Sequence, residues 1–361
     1  MDLSKTDKES LLEKLDDVAA IRGLDSQNQF GMVGGLPGQL LGAYEAGRRV
    51  ALEAGGEVGG IAVAGMGGSA IGGDVIASVY DAELPSPMVT VRGYNLPHWI
   101  SSRSLVFVIS YSGNTEETIS CLNEALERGC RIICASTGGK VGEVAAARDI
   151  PFIQVPSSLQ PRAAMGWLSV PIAACLESLG LIEAVEEDVR EAAAVLSRLG
   201  DSYGLESPSA SNPAKQLAAD LFERIPVIYG AEVTAAAANR WKCQINENAK
   251  ALAFAHQFPE LNHNEIVGWE YPSADMERFR VIYLTDGKLH PQNRRRMDIT
   301  AKLLENYVGE IMRFASSGEC RLARLLSSIN LGDYLSLYLA VLYGIDPSPV
   351  VRIESLKKQL A

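Results

Sequence analysis

One stretch, Ala62-Val63-Ala64-Gly65-Met66-Gly67-Gly68-Ser69-Ala70-Ile71-Gly72-Gly73-Asp74, constrains this chain more than any other. Its first residues are small and apolar, as at the end of a buried parallel strand. Its middle is a glycine-rich turn with one hydroxyl, and the part running into Val75-Ile76-Ala77 reads as the start of a helix. Strand, glycine turn and helix in that order build an anion cradle. Glycines let backbone N–H groups point at a phosphate, and the helix dipole favours its charge. A tight turn with no ligand uses the same residues, so the stretch alone leaves both readings open.

Three better-known glycine motifs do not fit. A dinucleotide fingerprint would run Gly65-Met66-Gly67-Gly68-Ser69-Ala70, with Ala70 in the last glycine's place. The next apolar run, Met88 to Val91, leads into Arg92 and Gly93, so no carboxylate is placed for a ribose. Thr137-Gly138-Gly139-Lys140-Val141 lacks the first glycine spacing and the final hydroxyl of a Walker A loop. A nucleophile elbow needs glycine two places after Ser69, where Ile71 stands.

The pattern around the cradle repeats it. An amphipathic helix is expected at 7–24, a loop at 25–38, and a helix from Leu40 to Ala54 stopped by Gly55-Gly56. Apolar runs at 60–64, 88–92, 104–110, 131–136 and 150–155 read as strands between helices. Strands apolar throughout mean a parallel sheet covered on both faces. Residues 162–199 read as mostly helical, and 200–213 as a linker. A second round follows, with strands at 225–230, 279–285 and 308–313. Its helices are expected at 231–249, 293–307 and 322–343, with a last helix to Leu360. The expected fold is α/β, in two domains of 1–200 and 214–361, each a parallel sheet flanked by helices in an αβα sandwich.

Composition bounds the partners. A net charge of −11 leaves no basic excess for a nucleic-acid backbone, though one sugar phosphate needs only local positive charge. The six cysteines are scattered without a Cys-x-x-Cys, as expected of reduced thiols in a cytoplasmic protein. Met1-Asp2-Leu3-Ser4-Lys5 is too polar to open a signal peptide, and the longest apolar runs are strand-sized, which argues against a membrane helix.

A second hydroxyl-rich turn, Ser110-Tyr111-Ser112-Gly113-Asn114-Thr115, leaves the third strand for a helix that begins Glu116-Glu117. An ordinary N-cap uses such residues too. Two such turns at the carboxyl end of one parallel sheet, however, converge on the crevice where these sheets bind ligands. Arg162, after Pro161, is a candidate cation for the same phosphate. Glu247 lies between Asn246 and Asn248 on a polar helical stripe, and His263 lies between Asn262 and Asn264. Either can be surface polarity, and either can do acid–base work. No metal or cofactor motif is present: there is no His-Glu-x-x-His, and His256 and His263 lack a ligand-type partner at close spacing. Cradle, carboxylate and histidine together suit proton transfer on a phosphorylated sugar, an aldose–ketose isomerisation.

These residues resemble the sugar-isomerase (SIS) superfamily, and within it the bifunctional phosphoglucose/phosphomannose isomerases, over nearly the whole chain. The resemblance rests on Gly-Met-Gly-Gly-Ser at 65–69, Ser-Tyr-Ser-Gly-Asn-Thr at 110–115 and Pro161-Arg162. It continues in Asn-Glu-Asn-Ala-Lys at 246–250, Asn-His-Asn-Glu at 262–265 and Ile-Glu-Ser-Leu-Lys at 353–357. It implies that Gly67, Gly68, Ser69, Ser110, Ser112, Thr115 and Arg162 hold the 6-phosphate of a sugar substrate. His263, with Lys357, would open the ring, and Glu247 would shuttle a proton between C2 and C1. It implies a homodimer with composite sites, because the family's histidine comes from the neighbouring subunit. Lys357 and Lys358 are adjacent, and only one can face the site from a helix. Ser348 is the candidate hydroxyl for accepting both C2 epimers, with Val350 as the other residue that could line that space. A glucose-only isomerase and a non-catalytic sugar-phosphate binding protein are the alternatives.

Overall fold

The computed structural model describes residues 5–52 and 57–360. The expected stop at Gly55-Gly56 lies outside them. Helices α1 (Lys5–Asp16), α2 (Val18–Leu24) and α3 (Gln29–Gly34) come first. The single helix expected at 7–24 breaks because Asp17 caps α2, its carboxylate accepting from Ala20 N at 3.0 Å. The loop expected at 25–38 is largely helical. Helix α4 (Leu36–Arg48) starts there because Pro37 sits in its first turn, where a missing N–H costs nothing.

The first sheet contains β1 (Gly60–Ala64), β2 (Met88–Val91), β3 (Ser104–Ile109), β4 (Arg131–Ser136) and β5 (Phe152–Gln154). All pairings are parallel, in the order β2-β1-β3-β4-β5. Helices α5 (Gly68–Tyr80), α6 (Glu116–Glu127), α7 (Gly139–Ala147), α8 (Met165–Ser178) and α9 (Glu186–Tyr203) connect and follow these strands. Every residue of β1 and β3 is buried, which explains why both read as unbroken apolar runs. Val106 and Val108 pack there with Leu122 and Ala125 of α6.

After α10 (Pro213–Leu221), a second sheet is built from β6 (Ile225–Ala231), β7 (Phe254–Phe258), β8 (Phe279–Thr285) and β9 (Met312–Ala315). It is also parallel, in the order β7-β6-β8-β9. Its helices are α11 (Val233–Gln244), α12 (Pro291–Val308), α13 (Arg321–Leu342) and α14 (Val351–Leu360). Edge strand β7 is not among the expected strands. Its burial does not alternate along the chain, so no period-2 signal marks it. The strand expected at 308–313 starts later, at Met312, because α12 runs on to Val308. The expected linker at 200–213 is likewise largely structured, since α9 continues to Tyr203 and a 3-10 turn fills 209–211.

Two compact units result. One holds 35–196 and 318–325 around the first sheet; the other holds 1–34, 197–317 and 326–361 around the second. The first three helices therefore group with the second sheet, unlike in a division at 200. Asp16 explains part of this. Its carboxylate accepts from Ser209 N at 2.8 Å, Ser209 Oγ at 2.6 Å and Lys215 Nζ at 3.0 Å. The longest apolar run is not strand-sized as expected: α13, at 22 residues, is long and apolar enough to cross a membrane, and 94% of its 18-residue apolar window is buried inside the molecule, as in a core helix.

Candidate active site

The strand order turns back at β1, with β2 on one side and β3 on the other. In open parallel sheets such a switch point opens a crevice at the strands' carboxyl ends. Ala64 of β1 pairs with Val108 of β3, so Gly65–Ser69 and Ser110–Thr115 leave the sheet side by side. A Cβ on Gly65 would lie 3.0 Å from Ile109 O, and one on Gly68 would lie 2.9 Å from Pro161 O. Glycine here is therefore a matter of space. Gly67 caps α5 with φ +53° and offers no side chain to the first-turn amides. Those amides and Ser69, which is buried, sit where an anion is favoured.

The second turn is not an ordinary cap. Thr115 precedes α6 but makes no side-chain capping bond; its Oγ1 pairs with Ser110 Oγ at 3.0 Å. Ser110 Oγ also accepts from Gly113 N at 3.1 Å. Asn114 ties this turn to the next one, accepting from Lys140 N at 3.0 Å and donating to Ser112 O at 3.3 Å. Arg162 is 5% exposed and follows a loop that Tyr111 holds. The Tyr111 hydroxyl lies against the carbonyls of Pro156 and Leu159 and accepts from Leu159 N at 3.0 Å. Burial raises the Tyr111 phenol above its ordinary range, so it stays a neutral donor. Gly67, Gly68, Ser69, Ser110, Ser112, Thr115 and Arg162 thus all belong to the first-sheet unit. Tyr111 and Asn114 are not among the site residues singled out from sequence, because their role is to hold loops rather than to carry charge.

The second sheet has a counterpart of the cradle, built differently. Glu232 caps α11 with φ +50° and ψ −121°, nearly the conformation of Gly67 at φ +53° and ψ −124°. Its carboxylate accepts from His290 N at 2.9 Å and Asn293 Nδ2 at 2.8 Å, so an internal anion occupies the start of α12. Thr234, in the place of Ser69, turns its hydroxyl inward to the Ala231 and Leu284 carbonyls. This turn is closed on itself where the first is open.

The acid–base candidates lie in the second-sheet unit. Glu247 is half-buried in a π-turn at 245–249 that continues α11. Such wide turns re-aim side chains and often occur at functional sites. The turn is anchored by Asn248 Nδ2, which donates to Ser336 Oγ at 2.8 Å, and by Asn246, which accepts from Ala253 N at 3.0 Å. Earlier on the same helix, Arg240 makes a bidentate pair with Asp333 at 3.0 and 2.8 Å. Burial pushes the Asp333 carboxyl up, while Arg240 and Gln244 oppose that rise. Ser348 is buried and Val350 half-buried. His263 ends a 3-10 turn at Glu260–His263 and is exposed, as are Lys357 and Lys358 on α14. The structure therefore ties Glu247 into a packed turn and leaves His263 and both lysines at the surface.

Comparisons with known proteins bear on the family and the fold. A family model described as the bacterial phospho-glucose isomerase C-terminal SIS domain matches residues 210–360. The chain is 43% identical over 334 residues to a protein of Caldicellulosiruptor bescii named bifunctional phosphoglucose/phosphomannose isomerase, covering 92% of this chain and 98% of that one. A protein of Aquifex aeolicus with the same name is 36% identical over 302 residues, covering 83% and 90%. A solved structure of a hypothetical protein from Thermus thermophilus matches with a TM-score of 0.73 at 12% identity, covering 98% of this chain and 95% of that one, a likeness of fold alone.

Proposed function

The chain belongs to the bifunctional phosphoglucose/phosphomannose isomerase family, and from that premise we infer that it interconverts glucose 6-phosphate and mannose 6-phosphate with fructose 6-phosphate. The observation that carries the reading is the 43% identity over 92% of the chain to a protein of that name; an open glycine-rich turn at the sheet's switch point supports it. In this reading Gly67, Gly68, Ser69, Ser110, Ser112, Thr115 and Arg162 hold the 6-phosphate through backbone amides, hydroxyls and one buried guanidinium. His263, with Lys357, takes the proton of the O1 hydroxyl and delivers one to O5, opening the ring. Glu247 then removes the C2 proton of the open-chain aldose as O1 takes up a proton from water, giving a cis-enediol. Reprotonation by the same carboxyl at C1, as the O2 proton departs, yields the ketose. Return of the proton to either face of C2 gives either aldose, and Ser348 is the residue assigned to leave room for the C2–C3 bond to turn.

A homodimer with composite sites fits the surface of the second-sheet unit. His263 is exposed, and close to it in the chain Val267 and Tyr271 are 72% and 78% exposed. Helix α14 has no buried residue, and Ile353, Leu356 and Leu360 form an exposed apolar stripe on it. A second copy is the partner this reading assigns to that surface.

The test is a proton NMR time course with mannose 6-phosphate in D2O, wild type beside Glu247→Gln. Wild type should form fructose 6-phosphate with deuterium at C1 and glucose 6-phosphate with deuterium at C2. The variant should lose activity by about 10³-fold, in the range of a missing general base. Reaction of glucose 6-phosphate alone would leave a glucose-only isomerase, and no reaction with either would leave a binding protein.

A further inference from the structure

The π-turn that carries Glu247 ends on Lys250, whose φ is +54°. Glycine ordinarily ends a helix in that conformation, because a Cβ is strained there. A lysine in such a place points to a job for its side chain. The chain folds back over the end of the turn. Nζ donates to Glu247 O at 2.9 Å, Pro347 O at 2.9 Å, Asn248 O at 3.2 Å and Asp346 O at 3.2 Å. An ammonium has three protons, so the four carbonyls share them, and each bond is charge-assisted.

Two of those carbonyls belong to the turn of Glu247, one of them Glu247's own. The other two belong to the segment that leads into Ser348 and then into α14 with Lys357. That segment is braced locally as well: Asp346 Oδ1 accepts from Ser348 N at 2.9 Å. Burial opposes the Asp346 charge, yet hydrogen bonds from Ser26 and Ser348 outweigh it and hold the carboxyl below its ordinary range. We infer that Lys250 is a positioning residue for the isomerisation: its ammonium joins the turn of Glu247 to the 346–348 segment, so that the base and the Ser348 hydroxyl are held in one frame. The inference rests on the roles proposed above for Glu247 and Ser348.

Two variants test it. Lys250→Gly removes the ammonium but suits the backbone better, and Lys250→Met keeps the length without the charge. With both, kcat on glucose and mannose 6-phosphates should fall at least about tenfold while KM stays within about threefold, since a misaimed base loses rate rather than binding. Native-state hydrogen exchange should quicken together at amides 246–252 and at Ile345, Asp346 and Ser348 in both variants. Wild-type kcat in Lys250→Gly would mean that the residue merely ends a helix, and faster exchange confined to 246–252 would mean that no joint exists; either result overturns the inference. The exchange measurement needs no activity. If wild type itself isomerises neither sugar, the functional reading falls while the exchange data still decide whether the joint is real.

Discussion

Gly113 sets the shape of the 110–115 turn, which is proposed above to hold the substrate phosphate. Its φ is +70°, and a Cβ there would lie 1.8 Å from the carbonyl oxygen of Gly138. Strain and overlap act together, and the overlapped atom is backbone that cannot swing away. The N–H of Gly113 also donates to Ser110 Oγ at 3.1 Å, so moving it disturbs the hydroxyl pair of Ser110 and Thr115. Gly113→Ala should raise the KM for sugar 6-phosphates by about ten- to hundredfold, the worth of one charge-assisted hydrogen bond. Steady-state kinetics with inorganic phosphate as competitive inhibitor checks it: the inhibition constant should rise in parallel with KM. The glycine itself is evident from sequence, but the carbonyl it makes room for belongs to a different βα turn.

At the scale of elements, the informative case is α1. Its apolar stripe includes Leu11 and Leu15, both buried, so a packed helix was legible from spacing alone. Which sheet it packs with was not, because that choice depends in part on Asp16 with Ser209 and Lys215, residues far away in the chain. Lys215 is 1% exposed, with its Nζ 5.6 Å from the Tyr338 ring, so losing the carboxylate leaves a buried ammonium short of a partner. Asp16→Asn should lower unfolding free energy at pH 7 by about 1–3 kcal/mol. Burial disfavours the Asp16 charge, but its hydrogen bonds prevail and hold the folded pKa below the unfolded one. Its contribution is therefore complete above the ordinary carboxylate pKa of about 4 and fades as pH falls through the folded value. Urea denaturation of both proteins across pH should show the gap closing on the acid side; a gap that widens there would contradict the assignment.

At the scale of the whole molecule, the proposed composite sites make a stoichiometric prediction. In a dimer where Glu247 and His263 of one site come from different subunits, Glu247→Gln and His263→Ala are each inactive alone. Denatured together in equal amounts and refolded, they should regain about one quarter of wild-type activity, because half the dimers are mixed and each mixed dimer has one intact site. No recovery would place both residues in one subunit. What the sequence by itself determined is local: buried apolar runs that must pair as parallel strands, glycines where only glycine fits, and the order of the cradle, carboxylate and histidine segments. Those follow from side-chain period and backbone sterics, which act over a few residues. Only the tertiary structure decided that the first three helices join the second sheet, that β7 forms at its edge, and that Thr115 pairs with Ser110 instead of capping α6. It also decided that Lys250 reaches Asp346, 96 residues away in the chain. Each of those outcomes depends on a partner for a polar or half-exposed group, and such a partner is chosen by where the chain returns in space.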